Sequence, residues 1–549
     1  MTGPLKLRDY QRDCLDIIWE QYQSGVRRQL VCLPTGTGKT VIFAQFPRFF
    51  RMQKRMLVLA HREELLTQAR DKILRANPEL RVEIEKANRK ASPDCDVVVA
   101  SVPTLGRKRS ARIEKLDIED FYLIVVDEAH HATAATYRRV LERFELFADD
   151  TRRLLVGFTA TPKRGDGEGL DAVFQSIVFS HTLPEMVDAG FLAPVAGFRV
   201  ETAVDLSGVR TRMGDFVTSQ LSRAVNVRGR NDLVVKIFQD MLGDRQTLVF
   251  CVDVAHAKSL AQSFGDAGVR VAAVTGEMEQ ESRRQALADF SAGNIQVLTN
   301  CMVLTEGYDE SSISGIILAR PTRSSLLYTQ MIGRGTRLHP GKQEVTIVDV
   351  VDVTRDKKLA TLPGLFGLST TFDLEGHTTQ KVQEALEWVE GNRPWVRADL
   401  ATSLSDLRYR CRRLNLLDLQ LPEELMGHAA FAWTAVGRDT YRLGLGKGES
   451  LIVGSTILGR WEVTWRAWGE SRTIGMAKDG RDAIARAEQF VARERPGAVR
   501  LVRRDVRWRR GPASDKQLKL LESKGIETPK GLTKGQASHL IAMISRERK

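Results

Sequence analysis

The stretch Gln29-Leu-Val-Cys-Leu-Pro-Thr-Gly-Thr-Gly-Lys-Thr40 reads as a short apolar strand, a glycine-rich turn and the start of a helix. Glycines in such a turn let consecutive backbone N–H groups point at one anion, so the pattern suits phosphate. Lys39 would reach the β- and γ-phosphates of a nucleotide, and Thr40 would supply an oxygen to Mg²⁺. Thr35, Gly36, Thr37 and Gly38 form the loop itself. The strict pattern places glycine six residues before the lysine, whereas this chain has Leu33 there.

A second segment, Leu123-Ile-Val-Val-Asp-Glu-Ala-His130, is an apolar strand ending in two carboxylates. That is what metal-dependent phosphoryl transfer needs. Asp127 would hold Mg²⁺, and Glu128 would orient and deprotonate an attacking water.

Outward from these two segments, short apolar runs alternate with helical patterns, which predicts parallel α/β sheets. The first series has strands at Gln29–Leu33, Met56–Ala60, Val97–Ser101, Leu123–Asp127 and Leu154–Thr159. The second has strands at Gln246–Phe250, Val271–Val274, Val297–Thr299, Gly315–Ala319 and Val345–Val350. The 549 residues exceed one core. The expected division is an α/β domain over 1–190, a linker or excursion over 191–229, and a second α/β domain over 230–355. A helical accessory region over 356–428, a small α+β domain over 429–511 and a two-helix basic tail over 512–549 would follow.

The formal charge is +13, and residues 500–549 hold 14 Lys/Arg against 5 Asp/Glu. A basic excess of this kind suits a polyanionic partner. The six cysteines are scattered without a C-x-x-C pair, which argues against a disulfide framework or a zinc site and predicts small buried thiols on strands. The N-terminus has no apolar leader, and no apolar run approaches the ~20 residues of a membrane span, so a cytoplasmic protein is expected.

The ordered set of segments resembles superfamily 2 helicases, over roughly residues 5–355. Leu7-Arg-Asp-Tyr-Gln11 is similar to the adenine-reading motif, which implies nucleotide contacts from Arg8 and Gln11. Phe158-Thr-Ala-Thr-Pro162 resembles the motif coupling the two domains. The resemblance gives His130, Thr159, Thr161 and Gln330 coupling roles. Leu304-Thr-Glu-Gly-Tyr-Asp309 resembles the motif touching nucleotide and nucleic-acid backbone, with Gly307 and Asp309 on the nucleotide side. Gln330-Met-Ile-Gly-Arg-Gly-Thr-Arg337 resembles the arginine-finger motif. Arg337 would be the finger, and Arg334 would also face phosphate. The fold implied is two tandem RecA-like parallel-sheet domains of the P-loop NTPase type, with a C-terminal α+β accessory region. ATP and Mg²⁺ are the cofactors implied.

Strand-end groups form a candidate nucleic-acid track: Arg62, Ser101, Thr104, Thr275, Gly276, Thr299 and Asn300. Such small polar and cationic groups contact phosphate and sugar without reading sequence. The run Arg500–Arg510 adds Arg503, Arg504 and Arg507 as candidate phosphate ligands. The Thr-Ala-Thr-Pro and Leu-Arg-x-Tyr-Gln spellings resemble the DNA-acting branch, which includes the XPB repair helicase, RadD-like proteins and type I restriction translocases. The chain lacks the Cys-rich zinc segment of RadD-like proteins, so its accessory region must differ from theirs. The implied activity is an ATP-dependent DNA helicase or translocase serving repair, recombination or branch migration. A motor subunit of a restriction or phage-defence complex, with nuclease or methyltransferase partners, and an RNA helicase remain as alternatives.

Overall fold

A computed structural model describes residues 6–160, 169–212, 214–305, 307–353, 359–392, 396–412, 421–437, 439–446, 448–456, 460–467, 470–524, 526, 528 and 531–544. The chain divides into two compact units, Met1–Thr370 and Thr371–Lys549.

The first unit is built on two all-parallel sheets. Strands β1 (Arg28–Cys32), β2 (Arg55–Ala60), β3 (Val82–Glu85), β4 (Val97–Ser101), β5 (Phe121–Asp127), β6 (Leu154–Thr159) and β7 (Ser176–Ser180) assemble in the order β3-β4-β2-β5-β6-β1-β7. The central strands are continuous Val/Leu/Ile runs because helices cover a parallel sheet on both faces. Every residue of β4 and β6 is buried. Around the sheet, Leu57, Ile124, Val126 and Leu155 pack with Tyr137, Phe144 and Phe174 from the covering segments.

The second sheet contains β8 (Val195–Asp205), β11 (Thr247–Phe250), β12 (Val271–Val274), β13 (Val297–Asn300), β14 (Gly315–Leu318) and β15 (Val345–Val353), in the order β12-β13-β11-β14-β15-β8. Its core gathers Val249, Val297, Ile317 and Val348 with Phe238, Leu260 and Phe264. The segment 191–229, expected as a linker or excursion, contributes a strand to the second sheet. Val195–Asp205 pairs in parallel with β15 as the edge of the second sheet. An edge strand buries less of itself, and β8 is buried only over its first residues, so it reads as polar. The rest of the segment forms a small hairpin, β9 (Thr211–Arg212) with β10 (Asp215–Phe216), and the helix Thr218–Val225. Asp215 ties this hairpin to the sheet by accepting from the Thr322 hydroxyl at 2.8 Å and the Arg323 N–H at 2.9 Å. Two strands were also missing from the sequence reading, β3 and β7, which flank the first sheet.

A buried ion pair braces the second sheet. Arg230 donates from Nε (2.9 Å) and Nη2 (2.8 Å) to Asp352, and from Nη1 to the Ala319 carbonyl at 2.9 Å.

The second unit carries an antiparallel sheet, β16 (Thr434–Gly437), β17 (Thr440–Gly446), β18 (Glu449–Ser455), β19 (Trp461–Ala467) and β20 (Glu470–Ala477), paired in chain order. Helix Gly480–Glu494 packs on one face through Ala483, Ile484, Ala487 and Val491. Helices Thr379–Asn392 and Leu404–Arg412 precede the sheet, and Asp515–Glu522 and Lys534–Ile544 follow it. Ser514 caps the first tail helix in a reciprocal box with Gln517.

None of the six cysteines is joined in a disulfide. The expectation of thiols on strands is corrected here, since only Cys32 lies within a strand and Cys95, Cys251 and Cys301 lie just outside strand ends. Cys14 lies in helix Asp9–Gln23 and Cys411 in helix Leu404–Arg412, and Cys301 and Cys411 are only half-buried. A thiol packs as a small apolar group on any element. Among the described residues no helix is long and apolar enough to cross a membrane.

Candidate nucleotide site

The glycine-rich turn after β1 is shaped by its own backbone. Gly36 has φ +90° and Gly38 φ +81°, conformations that side chains rarely adopt. Each is also crowded: a Cβ on Gly38 would lie 2.8 Å from the Gln11 amide, and one on Gly36 would lie 3.2 Å from Arg337 Cγ. The second contact crosses from one sheet domain to the other. Gly333 repeats the crossing, since a Cβ there would meet Thr35 at 2.6 Å. Each segment therefore presents bare backbone to a side chain of the other.

A cleft of about 210 Å³ opens at this junction. Arg8, Thr35, Gly36, Gly38, Lys39, Thr40, Asp127 and Glu128 line one side. Gly307, Asp309, Arg334 and Arg337 line the other. Lys39 Nζ donates to the Leu33 carbonyl at 3.1 Å, and Thr37 Oγ1 to the Pro34 carbonyl at 2.7 Å.

Gln11 stands behind the loop rather than in the cleft wall. Its amide donates to the Thr37 carbonyl at 3.0 Å, its Oε1 accepts from the Arg8 N–H at 3.0 Å, and the Tyr10 hydroxyl donates to the same Thr37 carbonyl. Arg8 turns toward the cleft and donates to the Phe191 carbonyl at 3.1 Å.

Asp127 ends β5 and Glu128 follows in a left-handed conformation, φ +51°, unusual for a residue with a side chain. This turn aims both carboxylates into the cleft. Glu128 Oε2 lies 3.4 Å from His130 Nδ1, and the same nitrogen lies 3.4 Å from Thr159 Oγ1. Carboxylate, imidazole and hydroxyl thus form a buried row linking β5 to the end of β6. Gln330 is buried on helix Ser325–Ile332. Thr161 lies outside the described residues.

On the second domain, Arg334 and Arg337 both donate to the Tyr308 carbonyl, at 2.8 and 3.0 Å. Arg337 Nε pairs with Asp309 Oδ1 at 3.0 Å, and Lys72 from the first domain reaches Asp309 Oδ2 at 3.2 Å. Burial pushes the Asp309 carboxyl up, but Arg337 and Lys72 outweigh it and hold it below the usual carboxylate range. Burial lowers the Arg337 guanidinium, with Asp309 opposing.

Leu65, Gln68 and Lys72 of helix Glu63–Ala76 also line the cleft and were missing from the sequence reading. Their spacing of three and four residues marks one helix face. That signal was present in the sequence, but not the direction the face takes. Gln68 donates to the Gly307 carbonyl across the cleft.

The candidate nucleic-acid residues of the first unit fall at or just beyond the carboxyl ends of adjacent parallel strands, with Ala60 beside Ser101 and Val274 beside Asn300. Several are turned inward. Thr299 is buried and donates to the Ala257 carbonyl at 2.9 Å, and Asn300 is buried and donates to the Val249 carbonyl at 3.1 Å. Ser101 and Thr275 are buried too. Thr104 is half-buried and Gly276 is exposed. Arg62 donates to the Met302 carbonyl at 3.0 Å, spanning the two domains. In the second unit, Arg503 forms a two-pronged pair with Asp505 at 3.0 Å, Arg504 donates to the Ala429 carbonyl at 3.0 Å, and Arg507 is exposed.

Two parallel-sheet domains that share one cleft, one wall of it a glycine-rich turn after a strand, are the architecture of a superfamily 2 helicase-type ATPase. Residues 4–164 match the family described as "Type III restriction enzyme, res subunit", and residues 229–339 match "Helicase conserved C-terminal domain". Residues 410–549 match "Mitochondrial helicase Irc3, C-terminal domain". The "Putative mitochondrial ATP-dependent helicase irc3" of Schizosaccharomyces pombe is 30% identical over 98% of this chain and 90% of its own length. The "Putative ATP-dependent helicase IRC3" of Saccharomyces cerevisiae is 36% identical over 66% of this chain, a match spanning about half (54%) of that relative. The "Type I restriction enzyme EcoAI endonuclease subunit" of Escherichia coli is 26% identical over 69% of this chain and 51% of its own length. The chain belongs to the Irc3 family of ATP-dependent helicases, in the DNA-acting branch of superfamily 2.

Proposed function

We propose that this protein couples ATP hydrolysis in the interdomain cleft to movement along DNA, remodelling it in repair, recombination or branch migration. The observation that carries the reading is the shared cleft: Lys39, Asp127 and Glu128 face Arg334 and Arg337 across the junction of the two sheets. Lys39 and the loop backbone bind the phosphates. Thr40 and Asp127 offer hard oxygen donors beside Lys39, which fit Mg²⁺; such sites use one or two protein oxygens and take the rest from phosphate and water. When bound, the ion neutralises charge on the transferred phosphoryl group. Glu128 orients water and takes its proton, and the His130–Thr159 row transmits that event toward the domain junction. Arg337 compensates charge growing on the γ-phosphate.

Nucleotide favours the closed pair of domains because only that state brings both walls to it, and release reopens them. Alternating grip on the backbone by Arg62, Thr104 and Gly276 and their strand-end neighbours advances the motor. Arg507 and its neighbours add a phosphate-binding surface. A cytoplasmic or similarly reducing compartment suits six cysteines that form no disulfide.

The test is ATP turnover over duplex, single-stranded, forked and RNA ligands. Stimulation by DNA and not RNA is expected, and RNA-only stimulation would move the protein to the RNA-acting alternative. Likeness to a restriction subunit favours a second reading as a motor within a defence complex. Co-purification with a nuclease or methyltransferase would establish it.

A further inference from the structure

Lys342 lies five residues beyond Arg337, past the end of the arginine-finger segment Gln330–Arg337. Its Nζ donates to four backbone carbonyls: Arg337 at 2.9 Å, Ser311 at 3.3 Å, Ile313 and Gly335. Ser311 and Ile313 follow Asp309 on the approach to β14. Gly335 and Arg337 lie on the turn after helix Ser325–Ile332. One ammonium therefore gathers two loops that also meet at the Tyr308 carbonyl, where Arg334 and Arg337 donate.

An ammonium has three N–H donors and a full charge, so with one N–H shared between two of the four oxygens it holds this ring of carbonyl dipoles more tightly than a neutral donor could. The lysine is partly buried, which limits competition from water. Gly341, with φ +81°, reverses the chain just before it and lets the stem reach back under the turn. Burial and the nearby Arg337 push Lys342 down to about 7, with Glu310 opposing. The four carbonyls favour the protonated form against that push.

Arg337 is thereby held at both ends. Lys342 binds its carbonyl, while Asp309 and the Tyr308 carbonyl bind its guanidinium. We propose that Lys342 is a positioning residue for phosphoryl transfer: by drawing the Ser311, Ile313, Gly335 and Arg337 carbonyls onto one ammonium, it locks the backbone from which Arg337 reaches into the cleft. The inference rests on Arg337 serving as the finger. A guanidinium aimed at a developing charge loses its effect with small displacements, so the seat of the backbone controls rate more than nucleotide binding.

The test uses the full chain with Lys342→Gln, Lys342→Arg, Arg337→Ala and the double variant Lys342→Gln/Arg337→Ala. DNA-stimulated kcat and KM for ATP are measured, together with amide hydrogen exchange of residues 333–341 in the absence of nucleotide. Lys342→Gln is expected to lower kcat about 10- to 100-fold while KM for ATP stays within about threefold. Exchange over 333–341 speeds up, and Lys342→Arg, which keeps the charge, recovers part of both. In the Arg337→Ala background Lys342→Gln adds no more than about a twofold loss, because the seat matters only through the finger. Losses that multiply, an unchanged kcat, or unchanged exchange would overturn the proposal. So would a variant that only melts earlier while keeping kcat and exchange at a permissive temperature. Arg337→Ala turning over as fast as the unaltered chain, or no turnover with any polynucleotide, removes the functional reading underneath and the proposal with it. The exchange result, taken without nucleotide, shows separately whether Lys342 seats the loop.

Discussion

Arg337 Nε lies 3.0 Å from Asp309 Oδ1, so the guanidinium expected to meet a γ-phosphate is held by a carboxylate of its own domain. Lys72 takes the other oxygen from the opposite domain. A phosphate entering the cleft competes with Asp309 for the same cation. Arg337→Ala should lower DNA-stimulated kcat by about 10³-fold or more, with a smaller change in KM. Asp309→Asn, which weakens the hold without removing the cation, should cost less. Steady-state phosphate release measures both, and an Asp309→Asn loss as large as that of Arg337→Ala would contradict the competition.

Lys39 and Glu128 share one wall but are expected to separate binding from chemistry. Lys39→Ala should abolish turnover and weaken nucleotide binding together. Glu128→Gln should leave ATP bound while turnover falls to background, because the amide cannot take a proton. A fluorescent ATP analogue reports the first quantity and phosphate release the second. Robust turnover by either variant would refute the site.

Arg230 and Asp352 are both almost wholly buried and doubly bonded. Removing one partner leaves a charge without compensation, at a cost of about 3–5 kcal/mol. Arg230→Met or Asp352→Leu should destabilise the first unit strongly. The double replacement should be less harmful than either alone. Denaturant unfolding of the four chains measures this coupling.

Asp349 gives a pH signature. Burial pushes its carboxyl up to about 6, although the Tyr328 hydroxyl and Leu362 N–H donate to it. The folded state therefore holds this proton more tightly than the unfolded chain does. The associated stability is fully present below about pH 4, the ordinary aspartate value, and is lost as pH rises through about 6. The melting temperature of Asp349→Asn relative to the parent chain should accordingly improve between pH 5 and pH 8. A difference that stays flat over that range would count against the assignment.

The basic run of the second unit is partly occupied by its own fold, since Arg503 faces Asp505 and Arg504 the Ala429 carbonyl. Arg507→Ala should reduce the slope of log affinity for DNA against log salt by about one unit if it neutralises a phosphate. Arg503→Ala should reduce it less. Equal slopes in all three chains would remove this surface from the DNA path.

Much of the fold was legible because parallel strands buried on both faces must be continuous apolar runs, as Leu123–Val126 and Leu154–Val156 are. The edge strands β7 and β8 escaped because they are covered less, β7 with no fully buried residue, and β3 escaped because Val82 and Ile84 alternate with Glu83 and Glu85. The phosphate loop and the Asp-Glu turn were legible because each packs its chemistry into consecutive residues. Lys72, Gln68 and Lys342 were not, since nothing in their local spelling says which loop or domain they face. The inward turn of Thr299 and Asn300, named as candidate nucleic-acid contacts, was not legible because a strand-end residue has the same spelling whether it points out or in.

By itself the sequence determined the two α/β domains and the order of the segments that meet at the cleft, because these depend on local spacing and on hydrophobic period. Tertiary structure alone decided that Arg337 meets Gly36, that Asp309 holds Arg337, and that Lys342 reaches four carbonyls. Those are contacts between segments whose distance in the chain carries no information about their distance in space. They are set by how two sheets and their connecting loops pack.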